Sequence, residues 1–333
     1  RRAAQDRRHP PPTQTADPEV RPMSVPDPAD DLARFLDDLA DVSGRAILPY
    51  FRSRLEVENK LAGAAFDPVT VADRAAEEAM RRLIGERFPD HGILGEEYGR
   101  ERDDAEHVWV LDPIDGTRAF ISGLPVWGTL IGLKHHGRPV LGTMHQPFTR
   151  ERFTGDGERA WYRGPDGVRE LATRPCARIE DAVLFTTTPA MLKGEERTAY
   201  DRVESRVRLA RYGVDCYAYC MVAAGFVDVV VEAGLQPYDI VALIPVIEGA
   251  GGVVTAWDGG SPVDGGRIVA SGDRRLHDEV LRLLAEPAEA GGVSASTGSA
   301  GDGASDSTAA DGSSVLAAGA ATAGEGDISD GGC

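Results

Sequence analysis

Residues 108–117, VWVLDPIDGT, place two carboxylates, Asp112 and Asp115, at the end of an apolar run. The letters VWVL predict a buried strand, and Pro113 predicts a turn after it because proline cannot donate a ladder hydrogen bond. A turn lets both carboxylates converge and can aim the carbonyl of Ile114 the same way. Repulsion and desolvation make such a pair unfavourable unless a cation offsets them. A turn in which Asp115 caps the following helix is the structural alternative.

The two residues after the aspartates suit a bound phosphate. Gly116 permits a close backbone approach, and Thr117 begins the segment TRAFI. If this segment is helical, its first N–H groups face the place where the carboxylates converge, and such groups favour an anion.

Further acids stand at the predicted ends of other elements. They are Asp73 in PVTVADRAAE, Glu96 and Glu97 in LGEEYG, and Asp239 in QPYDIV. Each one alone is explained as a helix cap or a solvated charge. Together they predict one loop-built site, because loops at element ends gather into sites. An all-oxygen cluster suits a hard cation, above all Mg²⁺, which also binds phosphate oxygens.

Other site chemistries lack their motifs. There is no HExxH, and the seven histidines show no ligand spacing, which argues against zinc. No GxxxxGKS or GxxxxGKT occurs, so the chain is not a P-loop protein. The glycines of GAGG at 249–252 follow a predicted helix, which favours a helix C-cap over a dinucleotide loop.

Hydrophobic periodicity predicts an α/β domain whose strands are not all parallel. Predicted helices cover 29–52, 72–88, 194–207, 215–224, 238–250 and 274–285, and predicted strands cover 92–95, 108–111, 182–187, 208–211, 227–232, 252–256 and 267–270, with hairpins over 126–147 and 152–164. Because hairpins are mixed with helix-linked strands, a purely parallel sheet is excluded.

Both ends of the chain differ in composition from this domain. Residues 1–28 are rich in proline, arginine and polar residues, and we expect a disordered N-terminal extension. Met23 opens a stretch that looks like a protein start, so residues 1–22 are expected to be either an upstream extension or a mis-assigned start, which the intact mass of the native protein would test. Residues 286–333 hold eight acids and no Lys or Arg, and we expect a disordered acidic tail because few large apolar groups offset its ordering entropy.

The charge and the cysteines restrict the partners and the compartment. The chain carries a net charge of −18 and no basic stripe, so we expect no nucleic-acid partner. A small phosphorylated substrate is compatible, since bound cations can invert the local field. No apolar stretch is long enough to span a bilayer, and we expect no membrane partner. The four cysteines form no CxxC pair, which favours a reducing cytoplasm.

The motifs together resemble those of the Mg²⁺-dependent inositol monophosphatase family. The stretches that look like its metal motifs, in the family's order, are GEE at 95–97, WVLDPIDGT at 109–117 and YDIVALIPVIEGAGG at 238–252, and PVTVADRAAE at 68–77 looks like its upstream motif. The resemblance implies a catalytic domain over 29–285, a layered αβαβα sandwich as in inositol monophosphatase and fructose-1,6-bisphosphatase, and a homodimer. Within the family, residues 115–133 and 212–239 look most like histidinol-phosphate phosphatases.

The resemblance implies two to three Mg²⁺ ions per site. By similarity, Glu96, Asp112 and the carbonyl of Ile114 would hold the first ion. Asp112, Asp115 and Asp239 would hold the second, with Asp112 bridging. Glu96 would also reach a third, weaker ion through water.

The resemblance also assigns the chemistry. Asp73 and Thr117 would orient and deprotonate the attacking water, and the N–H groups of Gly116 and Thr117 would bind the phosphate. The two ions would then clamp the attacking and leaving oxygens of an in-line displacement. Lys60 matches the family's mobile-loop lysine, although the sequence around it, KLAGAAFDPVT, lacks the acid commonly found two residues later.

The implied substrate is L-histidinol phosphate, hydrolysed to L-histidinol and phosphate. Its amine and imidazole call for an acidic pocket, and we expect Asp215 and Glu232 to face them. The alternative for Asp215 is a cap of helix 215–224, and Arg118 either balances local charge or touches a neighbouring subunit. Inositol phosphate, fructose bisphosphate and an adenosine phosphate are alternative substrates, and a catalytically silent phosphate-binding protein is the alternative from another class.

Overall fold

The structure is a computed structural model that describes residues 28–53, 57–59 and 68–286. Lys60 and nearly all of the two predicted terminal segments lie outside the described residues. No helix in the described ranges combines the length and the apolar character that a membrane crossing needs.

The described residues form helices and strands close to those that periodicity predicts. The α-helices are α1 (Pro28–Ile47), α2 (Val71–Arg87), α3 (Thr117–Ile121), α4 (Gly194–Glu204), α5 (Asp215–Ala223), α6 (Pro237–Ile240), α7 (Leu243–Gly249) and α8 (Arg274–Ala285), with short 3₁₀ turns at Ile179–Asp181 and Pro189–Met191. The strands are β1 (Val57–Asn59), β2 (Pro68–Thr70), β3 (Gly92–Gly95), β4 (Gly99–Glu101), β5 (His107–Asp115), β6 (Gly128–His135), β7 (Arg138–Gln146), β8 (Glu151–Gly155), β9 (Ala160–Gly164), β10 (Gly167–Glu170), β11 (Val183–Thr186), β12 (Leu209–Tyr212), β13 (Val229–Leu235), β14 (Val253–Ala256) and β15 (Gly266–Ser271).

Two mixed sheets carry the domain. The larger has the strand order β10-β9-β8-β7-β6-β5-β3-β4, and the smaller has the order β12-β11-β13-β15-β14. In the larger sheet only β3 and β5 pair in parallel, whereas β11 pairs in parallel with both β12 and β13 in the smaller one. The hairpins predicted over 126–147 and 152–164 correspond to β6–β7 and β8–β9.

Helices and sheets alternate in five layers. Apolar side chains of α1 and α2, among them Phe35 and Met80, pack against Trp109 on one face of the larger sheet. Helices α5 and α7 fill the space between the two sheets, and α4 and α8 cover the outer face of the smaller sheet. The predicted layered α/β sandwich is therefore confirmed.

The strand β5 runs through Pro113 instead of ending before it. Asp112 pairs with Leu130 and Asp115 pairs with Gly128, so β5 contains one residue more than its partner between these pairs. This is a β-bulge, in which the missing N–H of proline removes no ladder hydrogen bond. The carbonyl of Pro113 accepts a hydrogen bond from the Thr129 hydroxyl at 2.7 Å. The prediction of a turn at Pro113 was wrong for this reason.

The single helix predicted over 238–250 is two helices, α6 and α7. Pro245 lies four residues after Val241 and cannot donate a hydrogen bond to its carbonyl, so a continuous helix is interrupted. The first helix also ends earlier than predicted, at Ile47, and continues as turns. The short edge strand β10 was not predicted.

Three glycines on neighbouring strands of the larger sheet form a furrow, and the junction of α6 and α7 packs into it. Gly132, Gly142 and Gly155 lie in direct register on β6, β7 and β8. A Cβ added at Gly142 would lie 2.0 Å from the carbonyl oxygen of Ala242, and one at Gly155 would lie 2.3 Å from that of Pro245. Only glycine permits this close approach, which fixes the position of α6 next to the end of β5.

Candidate metal centre and active site

Three carboxylates converge where β5 ends and α6 begins. Asp112, Asp115 and Asp239 each contribute one oxygen to a group whose atoms all lie within 4.8 Å of one another. In a regular strand, residues three apart point to opposite faces, so Asp112 and Asp115 would diverge. The extra residue of the bulge brings both side chains to the same side. The predicted convergence is present, but a bulge produces it instead of a turn.

Burial makes the charged form of this cluster costly. It raises the pKa of Asp112 well above the ordinary value, and the nearby charges of Glu96 and Asp115 raise it further. Burial and Asp215 likewise raise the pKa of Asp115, and burial raises the pKa of Asp239 to about 7. The Oδ1 atom of Asp112 is buried and has no hydrogen-bond partner among the described residues. A buried carboxylate oxygen without a partner, surrounded by further acids, fits a hard divalent cation.

Two of the three carboxylates also cap helices. Asp115 Oδ2 accepts a hydrogen bond of 2.7 Å from the N–H of Cys216 at the start of α5. Asp239 Oδ2 accepts one of 2.7 Å from the N–H of Gln236 and completes a capping box at the start of α6. The N-cap of α3 is Gly116, which makes no side-chain cap bond. The alternative in which Asp115 caps the helix that follows it was therefore wrong, because it caps a helix far along the chain.

Asp73 and Thr117 flank the cluster. Asp73 is buried in the first turn of α2, and its charge contributes to the raised pKa of Asp112. The Thr117 hydroxyl donates a hydrogen bond of 3.1 Å to the carbonyl of Ile114. Gly116, directly before Thr117 in the chain, has φ +87°, which is in the left-handed region that favours glycine. The structure thus places both predicted water-orienting residues beside the carboxylates.

Glu96 lies on the turn between β3 and β4, and a buried acid of α2 shapes that turn. Glu77 accepts hydrogen bonds from the N–H groups of Glu97 at 2.7 Å and Tyr98 at 3.2 Å, and it pairs with Arg81 at 2.7 Å. Sequence reasoning missed its role. The available signal was an acid four residues after Asp73, on the face of α2 that is otherwise apolar and buried.

A cavity of about 200 Å³ opens next to the carboxylates. Its walls come from the start of α3, the end of β11, the 3₁₀ turn after it, the start of α5 and the end of β13. The predicted site residues among its lining are Asp115, Gly116, Thr117, Arg118, Asp215, Glu232 and Asp239. The described substrate residues of the prediction therefore line one cavity together with two of the predicted metal ligands, Asp115 and Asp239, whereas Glu96, Asp112 and Ile114 are not part of its lining.

Glu232 lines this cavity, and both of its carboxylate oxygens accept hydrogen bonds. Its Oε1 accepts hydrogen bonds from the N–H and the hydroxyl of Thr187, at 2.8 and 2.7 Å, and its Oε2 accepts one from the Tyr219 hydroxyl at 3.0 Å. Burial raises the pKa of Glu232, whereas these donors lower it. Thr187 and Tyr219 carried no motif, and sequence reasoning missed them.

Asp215 lines the cavity next to the predicted phosphate loop. A Cβ added at Gly116 would come within 3.0 Å of its carboxylate. Asp215 has φ +41°, and the N-cap of α5 is Val214, which makes no side-chain cap bond. The cap alternative for Asp215 was therefore wrong. Burial raises the pKa of Asp215 to about 6, and the positive charge of Arg118 opposes this rise. The guanidinium of Arg118 also contacts the Met191 sulfur at 3.9 Å.

Comparison with known proteins agrees with these features. The inositol monophosphatase family profile matches residues 29–288. The chain is 45% identical over 258 residues to the bifunctional phosphatase IMPL2, chloroplastic, of Arabidopsis thaliana, covering 74% of this chain and 72% of that protein. It is 35% identical over 257 residues to the histidinol-phosphatase of Mycobacterium tuberculosis, covering 76% and 96%. The inositol monophosphatase structure from Zymomonas mobilis superposes with a TM-score of 0.69 at 39% identity, covering 78% and 99%. The chain belongs to the inositol monophosphatase family.

Proposed function

We propose that this phosphatase is a Mg²⁺-dependent phosphomonoesterase that hydrolyses L-histidinol phosphate. The observation that carries the substrate assignment is the carboxylate of Asp215, which lies beside Gly116 and lines the cavity together with Asp115 and Asp239. A cationic aminoalcohol suits such a wall, because its amine can form a charge-assisted hydrogen bond there. The similarity to proteins named histidinol-phosphatase supports the same substrate.

The acids at the end of β5 provide the oxygen donors of the proposed centre. Asp112, Asp115 and Asp239 would hold one ion, and Glu96, Asp112 and the Ile114 carbonyl would hold another, with two to three ions per site. Bound Mg²⁺ would polarise the phosphoryl oxygens and ease the ionisation of an attacking water. The buried Oδ1 of Asp112 supports this assignment, since its desolvation is otherwise uncompensated.

The remaining residues position the reactants. Asp73 and Thr117 would orient the attacking water and accept its proton. The N–H groups of Gly116 and Thr117, which line the cavity, would hold the phosphate. Because Thr187 and Tyr219 fix both oxygens of Glu232, this side chain would offer a rigid acceptor to the hydroxyl or the amine of the substrate.

The alternative is an inositol phosphate or another small phosphate ester. The fixed carboxylate of Glu232 favours it, because a rigid acceptor also suits the hydroxyl groups of a polyol. The likeness to an inositol monophosphatase structure points the same way.

The assembly and the compartment belong to the same proposal. We place the enzyme in the cytoplasm, consistent with the free and buried thiols of Cys176, Cys216 and Cys220. We further propose that it acts as a homodimer, as its family resemblance implies.

The test measures phosphate release from L-histidinol phosphate and inositol 1-phosphate, with and without Mg²⁺, by wild type, Asp215→Asn and Asp166→Asn. Loss of one charge-assisted contact should raise KM for histidinol phosphate about 10- to 100-fold in Asp215→Asn. Turnover of inositol phosphate should change little, and Asp166→Asn, at an exposed turn, should match wild type. Equal losses on both substrates would overturn the substrate assignment, and a rate independent of Mg²⁺ would overturn the metal-dependent reaction.

A further inference from the structure

Four of the seven histidines gather at the end of β5 that lies away from the carboxylates. The rings of His91, His107 and His135 stack in that order, with centroid separations of 4.8 and 4.5 Å, and the ring of His136 lies tilted by 40° against that of His135 at 4.3 Å. We call this group the histidine column. No linear spacing reveals it, which is why the sequence argued against a zinc site.

Strand pairing builds the histidine column. His107 and His135 are direct register partners of β5 and β6, so their side chains project from the same face of the sheet. His136 follows as the first residue of the turn to β7, with φ +48°, and its N–H donates to the carbonyl of Glu106 at 2.8 Å. The fold therefore brings three imidazoles and one carboxylate to a single corner of the sheet.

The donor atoms of this corner converge. Glu106 Oε1 lies 3.0 Å from His135 Nε2 and 3.8 Å from His136 Nε2. Glu106, His107 and His135 each offer one ligand atom, and these three atoms lie within 4.8 Å of one another. Ligand atoms of a tetrahedral ion with bonds of about 2.0–2.2 Å are roughly 3.3–3.6 Å apart, so small side-chain rotations would complete the site.

The fourth ring of the column serves a different purpose. His91 Nδ1 accepts a hydrogen bond of 3.1 Å from the Trp109 indole N–H, and its ring stacks on Phe88 at 4.6 Å. Because that nitrogen is occupied, His91 anchors the column to the core. The side chains of Glu106, His135 and His136 are 59%, 41% and 70% exposed, so an ion from solvent can reach them.

We propose that Glu106, His107 and His135, with His136 as a fourth ligand, bind a divalent transition-metal ion such as Zn²⁺. Imidazole nitrogens suit Zn²⁺ and its neighbours, whereas Mg²⁺ prefers oxygen ligands in octahedral geometry. Asp112 lies five positions after His107 on β5, about 17 Å away at the usual rise of a strand. The site is thus separate in place and in ligand chemistry from the carboxylate centre, and an ion there would cross-link β5, β6 and the β6–β7 turn.

The test is a calorimetric titration of Zn²⁺ into untagged full-length protein that is kept in excess Mg²⁺. We expect the double variant His107→Asn/His135→Asn to bind one Zn²⁺ fewer than wild type. Glu106→Gln removes a proposed ligand at an exposed side chain, so it should weaken that site by at least the roughly 10- to 100-fold that is typical when only a supporting group of a metal site is removed. Glu158→Gln is the matched control, because Glu158 is also exposed but lies on a different turn.

A second pair of titrations separates this site from the carboxylate centre. Asp115→Asn/Asp239→Asn should retain the Zn²⁺ that the histidine variant loses, and the histidine variant should keep the Mg²⁺-dependent phosphatase rate of wild type. Unchanged Zn²⁺ stoichiometry and affinity in both the histidine variant and Glu106→Gln would overturn the proposal. Loss of all Zn²⁺ binding in the carboxylate variant would overturn it as well.

Discussion

Replacing Asp239 with asparagine should stabilise the metal-free protein and weaken metal binding at the proposed centre. The folded pKa of Asp239 is about 7, against an ordinary value of 3.8, because burial disfavours its charge. A carboxyl group whose pKa is raised by folding does not destabilise the fold below its unfolded pKa. It destabilises the fold in full above its folded pKa. The folded pKa exceeds the ordinary value by about 3, and each step of one corresponds to about 1.36 kcal/mol, so the loss of folding free energy has an upper limit of about 4 kcal/mol at pH 8. Linkage reduces the same cost to about 1 kcal/mol near pH 4.5.

The measurement is urea unfolding of wild type and Asp239→Asn in EDTA at both pH values. Asparagine keeps an oxygen that can accept the Gln236 N–H, so the capping box of α6 survives the change. We expect the variant to exceed wild type by up to about 4 kcal/mol at pH 8 and by about 1 kcal/mol at pH 4.5. In Mg²⁺ at 100 times its Kd, wild type should gain about 2.7 kcal/mol, and the variant should gain much less.

Asp273→Asn supplies a control of the opposite sign. Hydrogen bonds from Arg275 lower the pKa of Asp273 to about 2, so this carboxylate stabilises the fold above its unfolded pKa and loses that effect as the pH falls through 2. At pH 8 the control should therefore be less stable than wild type. The reasoning would be refuted if metal-free Asp239→Asn were no more stable than wild type at pH 8, or if its advantage did not change with pH.

Two further substitutions test how the fold positions the site. Gly142→Ala places a Cβ against the Ala242 carbonyl, so we expect a loss of about 1–3 kcal/mol in the free energy of unfolding in urea and a lower phosphatase rate as α6 shifts. Gly137→Ala is the control, because Gly137 lies in an open turn. It should lose only the smaller stability that a positive φ costs an alanine. Glu77→Ala removes the acceptor of two N–H groups on the turn that carries Glu96, so the apparent affinity for Mg²⁺ should fall, and Glu77→Gln, which keeps an acceptor oxygen, should restore part of it. Unchanged Mg²⁺ dependence in Glu77→Ala would contradict the positioning role.

The α/β class and the convergence of the acids followed from local patterns, whereas the layered arrangement followed from the family resemblance. Periodicity located most helices and strands, and the acids at their ends predicted one site because element ends meet at one side of a sheet. The bulge at Pro113 could not be predicted, because a proline after an apolar run usually indicates the end of a strand. Only the register of the partner strand reveals that β5 continues through Pro113. The break between α6 and α7 was readable from Pro245.

Features that depend on contacts between distant segments left no local signal. The three glycines of the furrow look like ordinary strand interruptions until β6, β7 and β8 are aligned. The histidine column is hidden for the same reason, since His107 and His135 are 28 residues apart in the chain and adjacent only across the sheet. Cross-strand register, and not sequence spacing, decides both features.

The structural and the functional explanations of the carboxylates are not exclusive. Asp115 and Asp239 each use Oδ2 to hold a helix start, and each also offers a carboxylate oxygen within 4.8 Å of one of Asp112. The capping bonds fix the side-chain orientation before any ion binds, so less entropy is lost when the ion arrives. The same bonds couple the start of α5, which carries Asp215, to the proposed metal centre. A change in the charge of the centre should therefore alter the position of Asp215 as well as that of the predicted phosphate-binding residues Gly116 and Thr117.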